Sequence, residues 1–133
     1  MFKWDEKYSV GFQIIDNQHK EIFRILNLLF ESLKSGKTDL ITDQIIPELE
    51  RYANIHFQTE EHFFEKFNYS DADDHISEHE EFKLSLEEIK AGLKSGEISL
   101  SFELMIFLKN WINHHILEVD QKYAELFRQS GLK

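Results

Sequence analysis

A chain of 133 residues that is 41% hydrophobic and carries 12 phenylalanines can bury a core, which excludes a disordered tail and sets the expectation of one domain over residues 1–133. A formal net charge of −10 with no basic stretch argues against nucleic acid and against an anionic membrane surface as partners. The lack of cysteine excludes a disulfide framework and thiolate chemistry. With no apolar run near the ~18 residues of a membrane span and no signal-like start, the expected location is cytoplasmic.

One proline and five glycines leave few breakers, so long helices are expected. Residues 1–15 set Trp4, Tyr8, Val10, Phe12, Ile14 and Ile15 among turn-formers around Gly11, and predict an extended arm laid on the body. Asp16 is the expected N-cap of a first helix over 17–34, where Ile22, Phe23, Ile25, Leu26, Leu29, Phe30 and Leu33 recur at helical spacing. Lys34-Ser35-Gly36 then supplies a terminal cation and a left-handed stop. A second helix is expected over 39–66, carrying Ile41, Ile45, Leu49, Tyr52, Ile55, Phe63 and Phe64. Pro47 inside it demands either a kink or a short leading turn that ends before it.

Asn68-Tyr69-Ser70-Asp71 is a turn signal, and Ser70 or Asp71 can cap a third helix over 72–94. Leu93-Lys94-Ser95-Gly96 closes that helix as Leu33-Lys34-Ser35-Gly36 closes the first, which repeated capping chemistry explains better than a duplication. Ser99 or Ser101 opens a fourth helix bearing Phe102, Leu104, Met105, Ile106, Leu108, Trp111, Ile112 and Ile116. A short terminal helix over 120–129 holds Tyr123, Leu126 and Phe127. Four helices of similar length on short loops give an all-α, up-down-up-down four-helix bundle with an N-terminal arm and a short C-terminal helix.

In such a bundle the start of the first helix lies level with the end of the second, the start of the third and the end of the fourth. His19, His56 with Glu60, His75 with His79, and His115 with Asp120 all fall at that one level. Singly, each histidine is more often a surface or core residue than a ligand, and it is the shared level that turns them into candidates. Residues four apart lie about 40° apart around a helix, so His56 with Glu60 and His75 with His79 can each grip one object. Five imidazoles and two carboxylates are too many for one ion with an open position. They suit two first-row transition ions bridged by the carboxylates, which would acidify a bridging water. Ferritin-like sites are built mostly of glutamate, whereas this set is rich in histidine. His62, about 240° around from His56, reads as solvated, Glu61 as a surface or outer group, and Glu78 and Glu80 as part of a solvated face.

The run Trp4-Asp5, Gly11 and Asp16-x-x-His19 resembles the N-terminal signature of bacterial hemerythrins. His56-Phe57-x-x-Glu60-Glu61, His75-x-x-x-His79-x-x-Phe82 and His115-Ile116-x-x-x-Asp120 resemble the remaining three motifs of that family. The likeness spans almost the whole chain; Phe64 departs from it, standing where the family often has methionine, which concerns packing rather than ligation. Within the motif, the five-residue step to Asp120 favours His115 over its neighbour His114.

The resemblance implies two non-haem iron ions with an oxo or hydroxo bridge. His75, His79 and His115 would saturate one iron, His19 and His56 would hold the other with a position left open, and Glu60 and Asp120 would bridge them. Dioxygen would bind reversibly at the open position, taking two electrons and a proton from the bridge. Ile22, Phe57, Trp111, Ile112 and Tyr123 correspond to the apolar lining that keeps such a site dry. The function implied is an oxygen carrier, store or buffer rather than an enzyme. Alternatives are a di-iron enzyme reducing peroxide or nitric oxide with an electron donor, and an oxygen or redox sensor acting on a protein partner. A histidine-rich site would also accept zinc or manganese where these were supplied.

Overall fold

Where the chain stops and turns is decided by a few residues. In the computed structural model, which describes residues 2–37, 39–96 and 100–131, these delimit five α-helices and no strand among the described residues. They are α1 (Gln13–Lys34), α2 (Ile46–Phe67), α3 (Ala72–Lys94), α4 (Leu100–Asn110) and α5 (Gln121–Gln129). A π-helix, Trp111–Val119, continues α4 up to Asp120. Helix α1 packs on α2 and α4, and α3 packs on the same two, which is the neighbour order of an antiparallel four-helix bundle.

The first helix starts earlier than its expected cap. Phe12 is the N-cap and has no side-chain capping bond. Asp16 instead sits in the first turn, where its carboxylate accepts from the Val10 backbone N–H (2.9 Å) and the Ser9 hydroxyl (2.5 Å). Its negative charge still suits the helix dipole, but its hydrogen bonds tie down the arm. The arm is short. A 3₁₀ turn, Glu6–Tyr8, lets Trp4 and Tyr8 pack on Phe23 at ring-centroid distances of 5.6 and 4.9 Å.

Pro47 takes the leading-turn solution. The chain winds as a π turn over Ile41–Ile45, and α2 begins at Ile46 with Pro47 in its first turn, where a missing N–H breaks no bond. At the end of α1, Gly36 adopts φ +70° and Lys37 N–H closes onto the Ser32 carbonyl (2.9 Å), the left-handed stop that a Cβ would strain. The third helix also ends on a glycine of positive φ, Gly96. Ser101 is buried inside the first turn of α4 rather than capping it, and Ser99 lies outside the described residues.

The buried apolar side chains form two clusters. The larger runs through the bundle and includes Ile22, Leu26, Leu49, Tyr52, Phe57, Phe82, Trp111 and Ile112. The smaller gathers Val10, Phe12, Ile15, Phe64, Tyr123 and Phe127, so α5 folds back over the end of the bundle. Full burial of each such side chain contributes about 1.5–3 kcal/mol. Seven buried polar residues lie where the clusters meet: His19, His56, Glu60, His75, His79, His115 and Asp120.

Candidate metal centre

Each of these seven is at most 2% exposed. Helix α1 delivers His19, α2 delivers His56 and Glu60, α3 delivers His75 and His79, and the π-helix delivers His115 with Asp120 just beyond it. The last pair depends on the π winding. Five residues along an α-helix is a turn of about 500°, leaving the two side chains about 140° apart. With i→i+5 bonding the fifth residue returns beneath the first. Asp120 N–H accordingly donates to the His115 carbonyl (2.7 Å), and His115 Nε2 lies 2.9 Å from Asp120 Oδ1. The fourth helix was expected to be α-helical throughout; the five-residue step from His115 to Asp120 was the available sign that it is not.

The donor atoms fall into two groups, Glu60-His75-His79-His115 and His19-His56-Glu60-Asp120, each with its atoms within 4.8 Å of one another. Glu60 serves both through one oxygen: Oε1 lies 3.2 Å from His56 Nε2, 3.0 Å from His79 Nε2 and 3.6 Å from His75 Nε2. Asp120 spans the groups with two. Oδ1 lies 2.8 Å from His75 Nε2, and Oδ2 lies 2.9 Å from His19 Nε2. Two donors at right angles on one ion, each at ~2.1 Å, would stand ~3.0 Å apart, so these spacings suit a shared cation.

Alignment makes the same point. Nε2 of His75, Nε2 of His115 and both oxygens of Asp120 make no hydrogen bond in spite of these short contacts. Buried polar atoms are nearly always paired, so atoms that crowd together with their lone pairs turned from one another fit a cation between them.

Electrostatics adds to the fit. Burial alone would raise the Glu60 carboxyl, but His56, and then His75 and His79, hold it well below the usual range. Burial and the Glu60 charge push Asp120 up, and His115 and His19 bring it down further than that. Burial disfavours a charged His75, yet the closely placed carboxylates of Asp120 and Glu60 push it up to about 10. His19 moves the other way, lowered by burial and by its neighbour His56. Two carboxylates stay ionised in the interior and draw positive charge toward them.

Outside this ring, further side chains orient the imidazoles. Nδ1–H of His79 donates to Glu61 Oε2 (2.9 Å), that of His115 to Glu78 Oε1 (3.0 Å), and that of His56 to Gln18 Oε1 (2.7 Å). A proton fixed on Nδ1 leaves the Nε2 lone pair facing inward. Glu78 therefore departs from the expected solvated face, because packing of α3 against the π-helix turns it toward His115. Gln18 had no spacing signal, and it is held in turn by donating to Thr59 Oγ1 (3.1 Å). His114 is 66% exposed, beside Glu118 at the surface, and His62 is exposed as expected.

The five residues expected to line the pocket are all buried, but they do not share one wall. Ile22, Phe57, Trp111 and Ile112 belong to the larger apolar cluster. Phe57 stacks on His79 (3.9 Å between centroids) and Trp111 on His115 (3.8 Å). Tyr123 belongs to the smaller cluster with Phe64, and its hydroxyl donates to Glu60 Oε2.

The sequence model of the hemerythrin HHE cation binding domain matches residues 10–127. A bacteriohemerythrin of Clostridium acetobutylicum is 34% identical over 130 residues, covering 94% of this chain and 100% of its own. A bacteriohemerythrin of Pseudomonas paraeruginosa is 33% identical over 127 residues, covering 96% and 82%. A hemerythrin-like protein of Naegleria gruberi is 31% identical over 123 residues, covering 92% and 90%. Among solved structures, a crystal structure of a hemerythrin mutant superposes with a TM-score of 0.81 at 25% identity, over 95% of this chain and 96% of the other.

Proposed function

The chain belongs to the hemerythrin family, and from that premise we propose that residues 1–133 form one domain whose buried centre holds two iron ions and binds dioxygen reversibly, as a carrier, store or buffer. The family is one of di-iron proteins that bind dioxygen, and the role proposed for this chain is binding without turnover.

The observation that carries it is the unequal sharing of imidazoles. His75, His79 and His115 serve one group and only His19 and His56 serve the other, while Glu60 and Asp120 reach both. The first group would saturate its ion, and the second would keep a position free for a small ligand. Two iron ions in this arrangement would supply the two electrons that reversible dioxygen binding requires. The chain's own contribution is to bind, orient and exclude water. Glu61 and Glu78 hold the imidazoles of the three-histidine group, and Gln18 holds His56. Ile22, Phe57, Trp111 and Ile112 wall the larger-cluster side with apolar surface, which keeps out the water and protons that would promote irreversible oxidation.

No described helix is long and apolar enough to cross a membrane, and a cytoplasmic location is part of the same reading. The deciding measurement is the optical spectrum of anaerobically reduced, iron-loaded protein before air, in air and after oxygen is removed. A visible band that appears with oxygen and vanishes on its removal is the expected result. Direct passage to a stable oxidised form would instead favour a redox enzyme or sensor. Metal analysis of the loaded protein separates iron from zinc or manganese.

A further inference from the structure

Two buried donors flank the centre without a partner. Tyr52 and Trp111 are 5% and 8% exposed, and neither the Tyr52 hydroxyl nor the Trp111 indole N–H has a hydrogen-bond partner among the described residues. Buried donors are costly to leave unpaired, and at position 52 phenylalanine would fill nearly the same space without that cost.

The two side chains converge on one place. The Tyr52 ring lies nearly parallel to that of His56, with centroids 5.3 Å apart, and the Trp111 ring lies nearly parallel to that of His115, 3.8 Å away. Both also touch Phe57 and Phe82: Tyr52 at 6.2 and 6.4 Å, Trp111 at 5.7 and 4.6 Å. One donor therefore stands beside a histidine of each group, over a shared phenylalanine floor. The Trp111 indole N–H also lies close to the Tyr52 oxygen, without the alignment of a hydrogen bond, so the two polar groups stand side by side. On its other side Tyr52 borders an open groove of about 220 Å³ between α1 and α2, which Gln18, Ile25 and Ile55 also line.

We propose that Tyr52 and Trp111 form a two-donor cradle for a small anionic ligand bound in the centre on the His19–His56 side. The proposal rests on the dioxygen-binding reading, in which negative charge moves onto the ligand. Donors held beside the place where charge develops stabilise it with little reorganisation, and dryness around them strengthens the effect. The pocket is then apolar at Ile22, Phe57 and Ile112, with one polar spot where the ligand needs it.

The test is titration of oxidised, iron-loaded protein with azide, followed by its optical band and by the infrared stretch of the bound azide. Tyr52→Phe is expected to weaken azide about tenfold, and Trp111→Phe to do the same. The stretch should move on H/D exchange in the wild type and cease to move in the double variant. Metal-free Tyr52→Phe should unfold in urea at the wild-type midpoint or above it, because it loses a group that nothing in the fold satisfies. Unchanged azide affinity in both variants would overturn the cradle. So would a metal-free Tyr52→Phe that unfolds earlier while azide binding is unaffected, since the hydroxyl would then be bonded within the fold. Iron-loaded wild type that binds no azide would overturn the dioxygen-binding reading itself, and the cradle with it.

Discussion

The hydroxyl of Tyr123 donates to Oε2 of Glu60, 63 positions earlier in the chain, and so α5 holds a carboxylate whose other oxygen serves both donor groups. Tyr123→Phe keeps the ring in its cluster with Phe64 and Phe127 but leaves a buried carboxylate oxygen without its donor. We expect a loss of about 1–3 kcal/mol, read as a lower urea midpoint in the metal-free protein. An unchanged midpoint would mean that water replaces the hydroxyl at that oxygen.

Glu78 orients His115 from outside the ring, and Glu61 does the same for His79. Removal of such partners from a ligating histidine typically costs 10–100-fold in metal affinity. Competition with a chelator should show a loss of that size for Glu78→Ala and for Glu61→Ala. Glu78→Gln keeps an acceptor for the Nδ1 proton and should recover part of the loss. Equal affinity in all these variants would show that helix packing alone sets the ring orientation.

His114 and His115 are adjacent in sequence and opposite in environment. His114→Ala, at the surface, should leave metal content unchanged and alter stability by less than about 0.5 kcal/mol. His115→Ala should lower the metal content measured after loading and gel filtration. The reverse result would place the ligand one residue earlier and break the correspondence with the π winding.

Removing the metal should create a pH dependence that the loaded protein lacks. The folded-state pKa of His75 is raised from 6.5 to about 10, so its protonated form contributes stability that is fully present below 6.5 and is lost as pH rises through about 10. Glu60 and Asp120 are held below the usual carboxylate range, so their contribution is present above that range and is lost on acidification. Urea midpoints of the metal-free protein should therefore fall between pH 6.5 and 10. A ligating His75 has already given up its proton, and metal uptake near pH 7 should release protons to the medium. A metal-free protein with a flat midpoint across that range would contradict this account.

The parts of the fold legible in the sequence were those written in local chemistry. Helix α3 runs from Ala72 to Lys94 as its turn signal and glycine stop require, and the bundle follows from four such runs on short loops. The seven polar residues were conspicuous because they share one level of a bundle. What was hidden depends on choices between competing partners. Asp16 looked like a cap because it stands before a helical stripe, but the arm offers it better donors at Ser9 and Val10. Glu78 looked solvated because periodicity on α3 says nothing of a neighbouring helix that turns toward it. Tyr52 fitted the apolar stripe of α2, and a stripe takes no account of where a hydroxyl points.

The π-helix at Trp111–Val119 also sets how the chain tolerates a change in length. A wide turn of this kind is what an ordinary helix becomes when it absorbs a surplus residue. Deleting either of the exposed residues 113 and 114 would let the segment rewind regularly, with better local hydrogen bonding and no buried side chain removed. Regular winding would, however, leave His115 and Asp120 about 140° apart, as five steps of an α-helix do. Asp120 would leave the face of His115, and the carboxylate that reaches both His75 and His19 would be lost from the centre. A shorter chain could thus be the better helix and have no centre, and the irregular turn is the part of this protein that a repair toward regularity would destroy.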